Sequence, residues 1–173
     1  MPVIEGGGLS TPLTNAGAPV AGTNEVQTLT IGGTPTGGTF TLTFDGWTTA
    51  AITWTATDAT LLTRINTALD ALANGAASAI VATAGTLSSG IGTVTLTFSG
   101  APLDKRAVPT MTATSSLTGT SPTLAIAETT PGVNATARGI AAGGLLIDTT
   151  NKKLYINTGT ATAPAYTVVG AQT

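Results

Sequence analysis

Acid–base chemistry in this chain would depend mainly on its eight acidic side chains, because the sequence contains neither histidine nor cysteine. Histidine is the commonest general base and zinc ligand, while a disulfide or a thiolate metal site requires cysteine. Most of the acidic residues fall where a structural role is expected, in turns, at a helix start or facing solvent. They are Glu5, Glu25, Asp45, Asp58, Asp70, Asp104, Glu128 and Asp148.

The usual catalytic motifs are missing. Two carboxylates could meet in space for glycoside hydrolysis, but no motif indicates which pair. A calcium loop needs several carboxylates within a short stretch, and no stretch supplies them. The segment GGTPTGG at residues 32–38 lacks the Lys-Ser/Thr ending of a phosphate loop and is expected to form a turn between strands. The serine and threonine hydroxyls have no histidine partner. The sequence therefore predicts a protein that is not an enzyme and binds no cofactor or metal ion.

The composition indicates an ordered, β-rich protein. Charged residues make up 8% of the chain, against about 25% in a typical domain. About one residue in five is threonine, which favours strands and offers neighbours a surface without charges to desolvate. Six scattered basic residues predict no nucleic-acid partner. The lack of an apolar run of about 18 residues predicts no membrane partner, and the start MPVIEGGGLSTPL is not a secretory signal. We expect synthesis in the cytoplasm, followed by assembly.

One amphipathic helix is predicted over residues 58–73, with Asp58 as its N-cap and Gly75 as its stop. Strands are predicted on both sides of it, at 26–31, 39–44 and 50–55 and at 79–84, 93–98 and 124–128. Residues 38–46, GTFTLTFDG, differ from residues 92–100, GTVTLTFSG, at two positions. We therefore predict an α+β, mostly β fold. Its antiparallel strands form two similar three-strand meanders joined by the helix, with a small C-terminal β-hairpin unit added.

The ends of the chain are expected to lie outside a main domain at residues 24–130. Residues 1–23 are rich in Gly, Pro, Ala and Thr, and they form either a disordered tail or an extended arm that orders on a partner. Residues 131–173 follow a Pro-Gly boundary and contain two or three short strands. So few strands cannot bury a core alone, so this small unit must pack on another surface.

Two sets of residues are candidate contacts with other molecules. The first set is Trp47, Lys105, Arg106 and Tyr155, which are expected to be exposed. Trp47 directly follows the turn Asp45-Gly46 and could form a sugar platform, whereas Trp54 is expected in the core. The second set consists of the apolar residues of the arm, namely Val3, Ile4, Leu9, Leu13 and Val20.

Three segments between residues 24 and 72 read NEVQTLTIGG, GGTFTLTFDGWTTAAITW and DATLLTRINTALDAL. In residue sequence and in their order along the chain, they resemble a domain that recurs in structural proteins of tailed bacteriophages. The similarity continues in GTVTLTFSGAPLDKRAVPTMT at residues 92–112, so it covers about residues 24–130. The stretch GGLLIDTTNKKLYINTGTATAPAYTVVG at residues 143–170 resembles a short β-element common in phage head-fibre and tail-fibre proteins.

The resemblance implies a virion component with no catalytic or cofactor-binding residues. Arm, single domain and small appendage together look most like a capsid decoration (cement) protein on the outer surface of the head, bound to the major capsid protein. Such proteins typically form homotrimers whose arms clamp neighbouring capsomers. The same domain also occurs in tail-tube and fibre proteins. The alternative is therefore a tail-tube, tail-fibre or head-fibre module, with Trp47 and the C-terminal hairpin as contacts to a host surface.

Overall fold

The computed structural model describes residues 13–15, 21–72, 78–135, 140–161 and 163–170. The described elements are β1 (Leu13–Asn15), β2 (Val26–Phe44), β3 (Trp47–Thr48), β4 (Ile52–Thr53), α1 (Asp58–Asp70), β5 (Ile80–Ala84), β6 (Gly92–Phe98), β7 (Thr112–Thr130), β8 (Leu145–Asp148), β9 (Lys153–Asn157) and β10 (Tyr166–Val168). Strands account for 50% of the described residues and the helix for 9%. The predicted class, mostly β with antiparallel sheets, one helix and a small C-terminal β unit, is confirmed.

The chain divides into two compact units, and the larger one, Gly22–Asn134, is built around β2. This strand of 19 residues pairs antiparallel with β7 along almost its whole length. On its other side, the first part of β2 pairs with β6, which in turn pairs with β5. The last part of β2 pairs with the two-residue strands β3 and β4. Between these two parts, β7 is the only strand that pairs with β2 in the described chain.

The predicted turn at residues 32–38 is wrong, because this stretch is the bent middle of β2. The β2–β7 register shifts at two places within it, and Gly38 has a φ of +91°. A straight strand of this length would span roughly 60 Å. Instead, the ring of Phe44 at its end lies 5.3 Å from that of Phe98, whose backbone N–H bonds to Glu25 at the start of β2 (3.0 Å). Glycines allow the bend, and the sheet folds onto itself around one core.

The core of the larger unit joins the alternating strands to the helix. The inward residues of the two similar nine-residue segments are buried in it, as are three residues of the helix stripe: Phe40, Leu42, Phe44, Val94, Leu96, Phe98, Leu61, Ile65 and Leu69. The helix ends at Asp70, three residues before the predicted end. The strand predicted at 50–55 is limited to β4, and the one predicted at 124–128 is the last part of the longer β7.

The smaller unit contains described residues from both ends of the chain. Its sheet has the order β1-β8-β9-β10, with β1 parallel to β8 and the other neighbours antiparallel. Residues 13–15, which lie within the predicted arm, thus form an edge strand of this sheet. One face of the sheet carries Leu146 and Tyr155, which are paired across β8 and β9 and buried.

Candidate interaction surfaces

Trp47 lies on the surface at the tip of the β2–β3 hairpin. Its side chain is 50% exposed. The preceding residues Asp45 and Gly46 have φ angles of +49° and +81°, which is the geometry of the tight hairpin turn predicted for this dipeptide. The ring is therefore available to another molecule. Trp54, in contrast, is half-buried against the core, and its indole N–H donates to the carbonyl of Gly90 (2.8 Å).

The charged loop around Lys105 and Arg106 is held by hydrogen bonds between side chains and backbone. The Lys105 N–H donates to Asn24 Oδ1 at 2.7 Å, and the Arg106 guanidinium donates to the carbonyl of Pro102 at 3.3 Å. The Lys105 side chain is half-buried, whereas that of Arg106 is exposed. Of these two candidate contacts, Arg106 is the one that another molecule can reach.

Tyr155 is not an exposed contact, so that prediction is wrong. Its side chain is 9% exposed, because it lies directly opposite Leu146 on the buried face of the small sheet. Among the arm candidates, Leu13 lies in β1 opposite Leu146. The other four lie outside the described residues: Val3, Ile4, Leu9 and Val20.

The second face of the small sheet is aliphatic. It carries Leu145 and Ile147 of β8, which are 41% and 36% exposed, and opposite them Ile156 and Leu154 of β9, which are half-buried. We call these four residues the aliphatic face. Exposed apolar side chains that adjoin one another mark contact surfaces more often than scattered ones do.

Four of the acidic side chains organise the backbone. Asp58 does not cap the helix; Thr57 is at the N-cap position, and Asp58 Oδ1 accepts the N–H of Gly90 at 2.7 Å. Asp70 accepts the N–H of Ser78 at 2.8 Å. Glu25, 1% exposed, accepts the N–H of Val108 at 2.8 Å. These carboxylates satisfy backbone donors that would otherwise be unpaired.

Glu25 belongs to a buried network that ties the start of β2 to the chain before β7. Its Oε1 accepts a hydrogen bond from the amide of Gln27. That amide also donates to the carbonyl of Pro109 (3.1 Å), and its oxygen accepts the N–H of Met111 (2.8 Å). Every partner here is a backbone group or a side chain of the network, which indicates a structural role.

The fourth carboxylate, Asp148, holds the β8–β9 turn. The side chain and backbone N–H of Asn151 donate to it at 2.7 and 3.0 Å, and the N–H of Thr150 donates at 3.0 Å. The side-chain bond from Asn151 contributes most to holding the pKa of Asp148 below its ordinary value of 3.8, with the backbone bonds and the charge of Lys153 adding to it and burial opposing it. The carboxylate is thus engaged by its own turn.

The helix protects the outer edge of β5. Asn66 donates to the carbonyl of Ala82 and accepts its N–H, both at 2.9 Å, so its amide replaces a neighbouring strand. Edge strands are commonly shielded in such ways, because their unpaired backbone groups invite pairing with other chains. The sequence indicated the polar helix face but gave no sign of this pairing.

A groove of about 350 Å³ lies between residues 50–53 and the helix. Its lining is mostly alanine and threonine, and its one charged side chain, Arg64, donates to the carbonyl of Thr53 at 2.9 Å. Within the described part of the chain, no three acidic, histidine or cysteine side chains are grouped so as to hold a metal ion. The described residues also contain no helix long and apolar enough to cross a bilayer.

The outer edge of β7 is the largest open feature that sequence reasoning missed. In the described chain, β7 pairs only with β2, and none of its 19 residues is buried. It carries a single charge, Glu128, and no lysine. The alternation in residues 124–128 indicated a strand but not its length or its edge position.

Neither a scan against protein-family models nor a search of curated proteins finds a match for this chain.

Proposed function

We propose that this chain is a non-catalytic structural protein of a tailed-phage virion, a decoration or cement protein that binds the major capsid protein on the outer surface of the head. The observation that carries the proposal is the construction of the small unit. Part of the N-terminal arm, β1, shares a sheet with the C-terminal strands, and this sheet carries the exposed aliphatic face. Both ends of the chain thus contribute to one surface suited to contact.

Stabilisation of the capsid lattice by this protein then follows from mass action. A protein that binds only the assembled lattice stabilises that lattice by its binding free energy. When several contacts act together, as in the homotrimer that the resemblance implies, each later contact is intramolecular, and overall avidity exceeds the affinity of one contact. The sparse charge of the chain fits this role, because such a surface is covered without desolvating ions.

The test uses tailed-phage heads assembled without this chain, to which the purified protein is added and co-sedimented. The double variant Leu145→Lys/Ile147→Lys should weaken binding at least about tenfold, because burying ammonium groups at an apolar contact costs more than 1.4 kcal/mol. The matched control is Val81→Lys, since Val81 is 39% exposed on β5 of the larger unit. Cryo-EM of the loaded heads should show density on the outer shell.

Three results would count against the proposal. They are no binding to such heads, density confined to the tail, and equal loss of binding by the double variant and the Val81→Lys control. Deleting residues 1–12 separately measures how much the arm contributes to binding. We expect this deletion to weaken binding as well, and undiminished binding would remove the arm from the mechanism.

A second candidate function, host-surface binding by a tail or fibre module, is favoured by the exposure of Trp47. An aromatic ring that is half-exposed on a rigid hairpin can stack on an apolar sugar face. Binding on a glycan array that disappears in Trp47→Ala and persists in the control Val81→Ala would support this function. Trp47→Ala should leave binding to phage heads unchanged if the first proposal holds.

A further inference from the structure

The two edges of the sheet in the larger unit differ in how they are covered. The edge at β5 is covered by the helix, whose Asn66 bonds both backbone groups of Ala82. The opposite edge, β7, has no such cover among the described residues, although it is much the longer strand. Natural edge strands are commonly protected by lysines, inward-pointing charges, prolines or bulges. On β7 the register shifts fall outside residues 123–128, and within these residues Glu128 is the only protecting side chain.

Residues 122–128 are the part of β7 best suited to accept another strand. Pro122, which has no N–H to donate, begins this stretch, and the register with β2 is continuous from Thr123 to Glu128. Leu124 and Ile126 point toward the core but are only half-buried, since none of the described strands lies beyond them. Ala125 and Ala127 face outward and are small, so a neighbouring backbone can approach closely.

The chemistry of this stretch favours a second copy of the same chain. An antiparallel two-fold arrangement centred on Ala125 places Leu124 of each copy opposite Ile126 of the other, so that the aliphatic row continues across the interface. Glu128 then lies opposite Pro122 of the second copy, and the two Glu128 side chains stand at opposite ends of the paired stretch. A charged partner would find little to recognise, because the stretch carries one charge.

We propose that two copies of this chain associate by pairing residues 122–128 of their β7 strands, antiparallel and in the register centred on Ala125. The four-strand order β5-β6-β2-β7 then continues into the same four strands of the second copy, and the partly exposed Leu124 and Ile126 become covered. This pairing concerns only the larger unit and its own edge. Together with the homotrimer that the resemblance implies, it gives an assembly of six chains.

The test measures the mass of the full-length protein over a range of concentrations, by light scattering or analytical ultracentrifugation. The wild-type assembly should contain an even number of chains of 16.9 kDa. Ala125→Lys places two ammonium groups opposite each other, which should raise the dissociation constant about fivefold or more and halve the number of chains at moderate concentration. Ala125→Glu should do the same alone.

Mixing Ala125→Lys with Ala125→Glu should restore the assembly, because opposite charges then face each other across the axis. This mixture also shows that neither variant has merely unfolded.

Thr83→Lys is the matched control, since Thr83 is exposed on β5, whose edge is covered by the helix. The mass of this variant should equal that of the wild type. A monomeric wild type, an assembly with an odd number of chains, or one that Ala125→Lys leaves intact would overturn the proposal. Failure of the mixture to recover the assembly would refute the register.

Discussion

At the scale of single residues, side-chain amides and carboxylates substitute for backbone partners that the strands lack. All buried side-chain nitrogen and oxygen atoms in the described residues have a hydrogen-bond partner. Asn66 shows the principle most directly, because its single amide satisfies both polar groups of Ala82 at the β5 edge. Such a residue contributes more to stability than its half-buried position suggests, because its removal leaves backbone groups unpaired.

We therefore expect Asn66→Ala to lower the free energy of unfolding by about 1–3 kcal/mol, the cost of leaving a buried donor and acceptor unsatisfied. Urea unfolding followed by circular dichroism measures this change. Thr67→Ala is the matched control on the exposed side of the same helix, and it should change stability by less than about 0.5 kcal/mol. Equal effects of the two substitutions would show that the amide does not serve as a strand partner.

The lowered pKa of Asp148 predicts that the small unit loses stability in acid. Its pKa is lowered in the folded protein, above all by the side-chain bond from Asn151, so folding favours the carboxylate. The stability that it contributes is fully present above the ordinary value of 3.8 and is lost as the pH falls through the lowered pKa. Thermal unfolding measured between about pH 5 and pH 2.5 should show this loss in the wild type. Asp148→Asn, which does not titrate, should lack that component.

Asn151→Ala provides the complementary test, because it removes the first cause of the shift while keeping the carboxylate. The pKa of Asp148, followed by carboxyl NMR, should move toward 3.8 in this variant. An unchanged pKa would mean that the backbone bonds and the charge of Lys153 hold the pKa down without the side-chain bond.

At the scale of elements, the bend of β2 depends on glycine positions that cannot accommodate a side chain. A Cβ on Gly38 would lie 2.3 Å from the carbonyl oxygen of Ser116, and the residue also has a positive φ. Gly38→Ala should therefore cost about 3 kcal/mol or more, combining backbone strain with displacement of β7. Gly46→Ala is the control, since Gly46 has a similar φ of +81° but nothing within 4 Å. It should cost only about 1 kcal/mol, and equal losses in urea unfolding would contradict the close-packing argument.

The same bend shows where sequence reasoning succeeds and fails. Alternation around Phe40 to Phe44 and the helical stripe of Leu61, Ile65 and Leu69 correctly predicted strand, helix and core, because these patterns record which face is buried. Glycine-rich GGTPTGG is locally compatible with either a turn or a bulged strand. Only pairing with residues about 80 positions away decides between them, and no local pattern contains that information.

The candidate contacts illustrate a related limit. Trp47 could be placed on the surface because the turn signal beside it determines where the chain reverses. The burial of Tyr155 depends on which face of a short sheet is covered, and alternation alone does not say which. The open edge of β7 could not be predicted either, because an edge position follows from the strand order. That order depends on the long-range pairing of β2 with β7.

At the scale of the whole molecule, the larger unit carries a complete core of its own. All members of the hydrophobic cluster lie between Leu29 and Ile126. The two ends of the unit are joined by paired N–H···O bonds between Thr23 and Val133, each 3.0 Å long. The smaller unit has a separate buried set around Leu146 and Asn157. Units with separate cores commonly unfold as separate cooperative transitions.

A fragment of residues 22–134 should therefore fold alone. Its urea transition, followed by tryptophan fluorescence, should have the same midpoint as the main transition of the full-length protein, since Trp47 and Trp54 both lie in this unit. The full-length protein should show a further transition in circular dichroism that the fragment lacks, and Asp148→Asn should alter only that second transition at low pH. An unfolded fragment, or one shared transition in the full-length protein that Asp148→Asn shifts as a whole, would show instead that the two units depend on each other for stability.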